Sequence, residues 1–367
     1  MAPARELARR LLADSRVRNL SFSLFFALIA YANVAGYRTS YPTVAGRLEF
    51  ARAFGSNASV RLFYGRPYEL LSIGGYTAWR VGGTVAIAAG IWGILAAVRA
   101  LRAEEDSGRQ EIVMAGILTR PRAYLAAIAA IAGGGVMLAS ALWLGLVAGR
   151  LPAGESALLA ISAVAPAAVF AGVGALASQL ASTRRVALEM SSAVLVLALL
   201  VRVIADTTSS LQWLDWVSPL GWAEQTRVFA DSRPAALLPS LAAAALLLTI
   251  SGAIAWRRDI GSGLLPSRDS AEPRMRGLGS PAGLALRGEA GSLAGWILAT
   301  GFFALIIGLI STSVSSAGIS GSLQQQLRKV AAVSITKPAG YIGLCFLFFV
   351  LAVSLFCCSQ VAAFAWD

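Results

Sequence analysis

The sequence predicts an all-α polytopic membrane protein. Apolar residues make up 57% of its 367 positions and charged residues only 14%. Mean hydropathy is +0.69. The apolar residues gather into runs long enough to cross a bilayer, and the charges gather between them. A soluble globule of this size with so few charges would aggregate.

A helix needs about 20 apolar residues to cross the hydrocarbon core. About eight transmembrane helices are predicted, over Leu20–Gly36, Val81–Val98, Tyr124–Gly149, Ala157–Leu180, Ala187–Ala205, Ala236–Trp256, Leu293–Val314 and Gly340–Phe364. The first is shortest, and Ala32, Asn33, Val34, Ala35 near its end look like a signal-peptide cleavage site. The long preceding segment with Glu6 and Asp14 argues instead for a retained span. Residues 1–19 carry Arg5, Arg9, Arg10, Arg16 and Arg18 among Leu7, Leu11 and Leu12. They read either as a basic amphipathic helix on the membrane surface or as an unstructured positive flank.

The net charge of +12 comes from 29 Arg and two Lys against 19 acids. In a membrane protein such charge sets topology rather than marking a nucleic-acid surface. With the N-terminus in the cytoplasm, the inner segments hold 18 basic residues and the outer ones 12. The Arg-over-Lys bias with abundant Ala and Gly points to a GC-rich bacterial genome, hence to a bacterial cell membrane.

The outer segment 37–80 places Arg47, Leu48, Phe50, Ala51 and Phe54 at helical spacing and reads as short interfacial helices. Segment 206–235 carries Trp213, Trp216 and Trp222, whose indoles favour the headgroup level, so it is expected to lie flat. Residues 257–292, rich in Gly, Pro, Ser and Arg, read as a cytoplasmic linker. Gly75, Tyr76 and Gly340, Tyr341 stand 265 residues apart, each pair before a span. Residues 20–256 thus form a six-span repeat, and 293–367 the first two spans of a second, parallel repeat. On this reading the chain is a truncated form of something longer.

Catalytic chemistry has little to stand on. There is no His, so no Ser-His-Asp triad. Cys345, Cys357 and Cys358 share one apolar run and read as small apolar residues, not as a disulfide framework, a zinc site or a nucleophile. A phosphate-binding loop needs Lys after Gly, but Lys329 follows Arg328 and Lys337 follows Thr336. No cofactor or metal site is expected. The glycines at 82, 83, 90, 93, 133–135, 172 and 174 read as helix-packing positions. Pro166 is a candidate kink in the fourth span. Glu189 and Asp206 lie at opposite ends of the fifth span, and Arg202 stands one turn before Asp206, as a structural pair or a proton relay.

The densest charge is Glu104, Glu105, Asp106, Ser107, Gly108, Arg109, Gln110, Glu111, within a cytoplasmic elbow spanning 99–123. Such charge cannot enter a bilayer without losing hydration, so it projects as a loop. It is either a solvated charge run or a built contact. For the second, Gly108 permits a tight turn, Arg109 can bridge carboxylates, and the ridge Ile112, Val113, Ala115, Gly116, Leu118 suits a groove on a partner.

With the following Ala115, Gly116 through Arg120, this cluster resembles the first cytoplasmic motif of bacterial type-2 ABC exporter permeases, above all the polyketide-antibiotic (tetronasin-type) exporter membrane subunits. Supporting matches are Tyr41, Pro42; Tyr64, Gly65; Arg202 with Asp206; Ser218, Pro219, Leu220, Gly221, Trp222; and Arg257 through Leu264. The resemblance covers nearly the whole chain. It implies a twelve-span subunit of two six-span halves, from which this chain departs by ending after eight. It also implies a separate ATPase subunit in two copies, which binds ATP and Mg. The cargo would be a hydrophobic or amphipathic small molecule. Glu104, Glu105, Asp106, Gly108, Arg109 and Glu111 would form the ATPase-coupling contact, and Arg202, Asp206, Ser218, Pro219, Gly221 and Trp222 structural or interfacial positions. A non-transporting membrane scaffold and an ion-coupled carrier are the alternatives.

Overall fold

A computed structural model describes residues 2–55, 60–61, 64–103, 105, 118–257 and scattered positions from 263 to 354. All regular structure among the described residues is helical. The chain divides into two units. The first comprises Met1–Ala51 and Arg61–Arg268; the second comprises Arg52–Val60 and Asp269–Asp367. In the second, isolated described positions such as Ile297, Phe346 and Val350 are helical and exposed. The expected seventh and eighth spans otherwise lie outside the described residues.

The helices are α1 (Ala2–Asp14), α2 (Arg16–Ser40), α3 (Val44–Phe54), α4 (Ile73–Val98), α5 (Arg120–Ala148), α6 (Ala153–Leu180), α7 (Arg184–Thr207), α8 (Pro219–Gln225) and α9 (Leu238–Arg257). A π-helical turn, Arg99–Ala103, extends α4. Two 3₁₀ turns, Ser209–Trp216 and Pro234–Leu237, precede α8 and α9. Among the described residues six helices are long and apolar enough to cross a membrane, at 24 to 31 residues each. They match the first six predicted spans, with ends displaced. The second begins at Ile73, because the Ser72 side chain caps it by accepting from Gly75 N–H at 2.9 Å. The first runs on to Ser40, where Tyr41 leaves the helical conformation before Pro42. Among its described residues the outer segment contains the 11-residue helix α3, and positions 60, 61 and 64 are helical as well.

Consecutive spans alternate in direction. We call proximal the end where α2, α5 and α7 begin, and distal the end where they finish. The centre is the pair α4 and α6, each 67% buried along its most apolar stretch. Side-chain-free positions let these two approach: a Cβ at Gly93 would collide with the Ala167 carbonyl, and one at Gly174 would press on Ile94. Gly145 allows the same approach of α5 to Ala27 of α2. Gly83 departs from the expected packing role, since its open face holds the Arg202 guanidinium. Pro166 sits buried within an α6 that continues on both sides of it. Residues 2–14 are helical, and α1 packs along α5 with Leu11 against its apolar face.

At the distal end Tyr37, Tyr41, Phe50, Tyr76 and Trp79 form one aromatic cluster. Tyr37 and Tyr76 stack at 3.9 Å, and the Tyr37 hydroxyl donates to the Leu70 carbonyl at 2.5 Å. This ties the entry into α4 to the end of α2.

Candidate functional site

Polar chemistry concentrates at the two ends of the bundle. At the proximal end, α4 passes into the π turn and delivers Arg102, which is 1% exposed. Its Nη1 donates to Glu105 Oε2 at 3.0 Å. Its Nη2 donates to the Ser182 carbonyl, in the short loop joining α6 to α7. The backbone N–H of Leu264 donates to the Gln179 carbonyl at 3.3 Å, and Gly263 lies against Ala181 and Ser182. Of the elbow residues singled out in the sequence, Glu105 is held in this arrangement. Glu104, Asp106, Gly108, Arg109 and Glu111 lie outside the described residues.

The distal end carries a buried ion network. Arg202 of α7 is 1% exposed, and its Nε donates to Asp206 Oδ2 at 3.2 Å. Its Nη2 pairs with Glu224 Oε1 of α8. Arg66 donates to the Ala205 carbonyl at 3.2 Å and reaches Asp215 Oδ2 at 3.5 Å. Gln225 Nε2 donates to the same Asp215 oxygen at 2.9 Å. Arg227, held at φ +47°, donates to Gln225 Oε1 at 3.1 Å and lies 4.5 Å over the Tyr68 ring. Gly65, at φ +74°, gives its carbonyl to Trp79 Nε1 at 2.9 Å, and a side chain there would strike Arg202 and Glu224.

The Ser-Pro-Leu-Gly-Trp run builds the floor of this network. The Ser218 hydroxyl donates to the Ala198 carbonyl at 2.8 Å and accepts from Leu220 N–H at 3.3 Å, which caps α8 and fastens it to α7. Pro219 occupies the first turn, where a missing N–H costs nothing. Gly221 packs on the Asp215 backbone with no room for a Cβ. Trp222 Nε1 donates to the Trp216 carbonyl at 2.7 Å. The stretch expected to lie flat is thus a 3₁₀ turn and a short helix folded onto the end of α7. Six residues named from the sequence meet in one place: Arg202, Asp206, Ser218, Pro219, Gly221 and Trp222.

Sequence reasoning missed Glu224, Asp215 and Arg66, and named Gly65 without its place in this network. Arg66 and Asp215 are 149 positions apart. The one available signal was two acids, Asp215 and Glu224, inside a Trp-rich segment. Burial raises the carboxyl pKa of Asp215, with Asp206 nearby adding to the shift and Arg66 opposing it. Burial raises Glu224 well above the carboxylate range, against the pull of Arg202. Burial likewise raises the Tyr68 phenol. A cavity of about 50 Å³ adjoins the network, lined by Tyr64, Tyr68, Trp79, Glu224 and Arg227 among others. At about 15 Å³ per site it has room for roughly three waters. A larger recess of about 320 Å³ opens between α5, α6 and α9, walled by Ile131, Val136, Ile161, Val164, Leu241 and Leu248. Among the described residues no cluster of His, Cys, Asp or Glu could hold a metal.

Comparison with known proteins matches residues 25–257 to the family described as "Multidrug efflux system permease Rv1217c, C-terminal domain". Over 285 residues the chain is 32% identical to "Multidrug efflux system permease protein Rv1217c" of Mycobacterium tuberculosis (strain ATCC 25618 / H37Rv), covering 77% of this chain and 51% of that relative. The chain therefore spans about half the length of the curated relative it matches. Both the Arg102–Ser182 contact and the distal network fall inside the matched residues. With its apolar spans and this match over most of its length, the chain belongs to the Rv1217c family of multidrug efflux system permeases, as a multi-pass membrane protein.

Proposed function

We propose that the chain is a membrane-spanning permease subunit of an ATP-driven ABC exporter that moves hydrophobic or amphipathic small molecules out of a bacterial cell. The observation that carries this reading is the match of residues 25–257 to an efflux-system permease family. A separate ATPase, in two copies, binds ATP and Mg and supplies the work. The proximal end faces the cytoplasm, with the N-terminus on the cytoplasmic side of the inner membrane. The elbow residues Glu104, Glu105, Asp106, Gly108, Arg109 and Glu111 form the ATPase contact, and its displacement switches the spans between inward- and outward-facing states. The cargo class is that of the tetronasin-type exporters, and the apolar walls of the 320 Å³ recess suit such molecules. The six described spans form the first of two halves, followed by a linker over 257–292 and the start of a second.

The test is gentle purification from the native membrane with identification of whatever accompanies the chain. Co-purification of a nucleotide-binding protein supports the reading. Its absence, with an intact chain, moves a non-transporting scaffold to first place. One observation favours an ion-coupled carrier as a second reading: three acids, Asp206, Asp215 and Glu224, are buried at the distal end. Efflux that stops when the proton gradient is collapsed, with ATP intact, supports the carrier.

A further inference from the structure

We propose that Arg102 is a positioning residue that clamps the segment after α4 to the loop between α6 and α7, so that a force on the charged elbow is delivered to three spans together. This rests on the exporter reading above. The elbow itself could hang from α4 alone, as a solvated loop does; the geometry at its root is different.

Arg102 lies in a π-helical turn, a rare form that recurs at functional positions. A guanidinium at 1% exposure must find partners for its donors. Arg102 splits its planar fork between two directions. Nη1 holds Glu105, within the elbow, at 3.0 Å. Nη2 holds the backbone carbonyl of Ser182. A lysine has a point charge in place of this fork and cannot hold both acceptors in the same rigid geometry. The loop it grips is short: α6 ends at Leu180, and Thr183 already caps α7 by accepting from Val186 N–H at 3.4 Å. A displacement of Ser182 is therefore a displacement of both helices. The same loop receives Leu264 on Gln179 and Gly263 on Ala181, so the chain following α9 is fastened there too. The tight Gly93–Ala167 approach already joins α4 to α6 within the bundle. Arg102 closes the open end of that seam where the elbow leaves it.

The experiment uses the full chain with its ATPase partner in proteoliposomes, in wild-type, Arg102→Met and Arg102→Lys forms. Hydrolysis and transport are measured in the same vesicles. A merely structural loss lowers both together. Loss of the clamp leaves hydrolysis within about twofold of wild type while transport per ATP falls about tenfold or more in Arg102→Met, with Arg102→Lys between. Hydrogen exchange on the detergent-solubilised chain alone supplies a reading that needs no ATPase. The amides of residues 183–187 should exchange about tenfold faster in Arg102→Met, with 220–225 unchanged. If Arg102→Met does not fold, Arg102→Lys carries the same two measurements. Wild-type transport per ATP with unaltered exchange overturns the clamp. Absence of ATP-driven transport in the wild type overturns the exporter reading instead, and the exchange comparison still decides the clamp.

Discussion

Replacing Arg202 by Met removes a cation that pairs with both Asp206 and Glu224. Arg202 is 1% exposed, and the two carboxylates it neutralises have side chains 2% and 13% exposed. Removing one member of such a buried pair costs about 3–5 kcal/mol, because the partner is left charged and unpaired. For 367 residues, at about 2.1 cal/mol/K per residue, that corresponds to a fall of roughly 4–7 °C in Tm. The assay is thermal unfolding of the detergent-solubilised chain, followed by Trp fluorescence; nine Trp provide signal, and Trp213, Trp216 and Trp222 sit in or beside the network. The argument makes a second demand. The cost comes from orphaned charge rather than lost shape, so adding Asp206→Asn and Glu224→Gln to Arg202→Met should restore much of the lost Tm. A single Arg202→Met variant within about 2 °C of wild type would falsify the claim that the cluster is a buried ion network. A triple variant no better than the single one would locate the cost in packing.

The distal acids also set a pH dependence. Asp215 and Glu224 both hold protons more tightly in the folded chain than their ordinary values of 3.8 and 4.5 allow. Folded protein therefore binds more protons than unfolded above those values, and stability declines as pH rises through the folded pKa values. Tm should be higher at about pH 5 than at about pH 8, and Glu224→Gln should flatten the slope; a wild-type Tm that rises over this range contradicts the assignment. Gly93→Leu forces a side chain into the Ala167 backbone and should cost about 1–3 kcal/mol or prevent insertion, read as loss of monodisperse protein on size exclusion. Ser218→Ala removes both the cap of α8 and its tie to Ala198, and should lower stability by about 1 kcal/mol, seen as a matching Tm shift. Gly108→Pro, or charge reversal at Glu111, should uncouple transport from hydrolysis in folded protein; export at the wild-type rate would make the elbow a solvated loop.

The spans were legible because a bilayer imposes one rule, about 20 apolar residues in a row, that hydropathy reports directly. Their ends were not, because a cap such as Ser72 or a non-helical Tyr41 acts through one or two residues whose effect hydropathy averages away. The pairing of Arg202 with Asp206 could be read from one turn of helix, since the spacing alone brings them together. Glu224 could not, because it arrives from another helix, and Arg66 from a segment 139 residues before its acceptor Ala205. The Ser218–Trp222 run was recognised as a unit without its reason; the reason is Gly221 on the Asp215 backbone and Ser218 on the Ala198 carbonyl. Gly83 was grouped with the packing glycines, since no sequence rule separates a glycine that admits a neighbouring helix from one that admits a guanidinium. Arg102 went unremarked beside the elbow because its partner is a backbone carbonyl 80 residues away, and any residue type presents one.

The account's central claim is that ATP hydrolysis by a partner drives cargo through this chain. The most direct measurement is uptake of a hydrophobic fluorescent compound into inside-out vesicles carrying the chain with its ATPase. The account predicts uptake that requires ATP and both proteins and persists when an ionophore collapses the proton gradient. Uptake that ignores ATP and stops with the ionophore would contradict it.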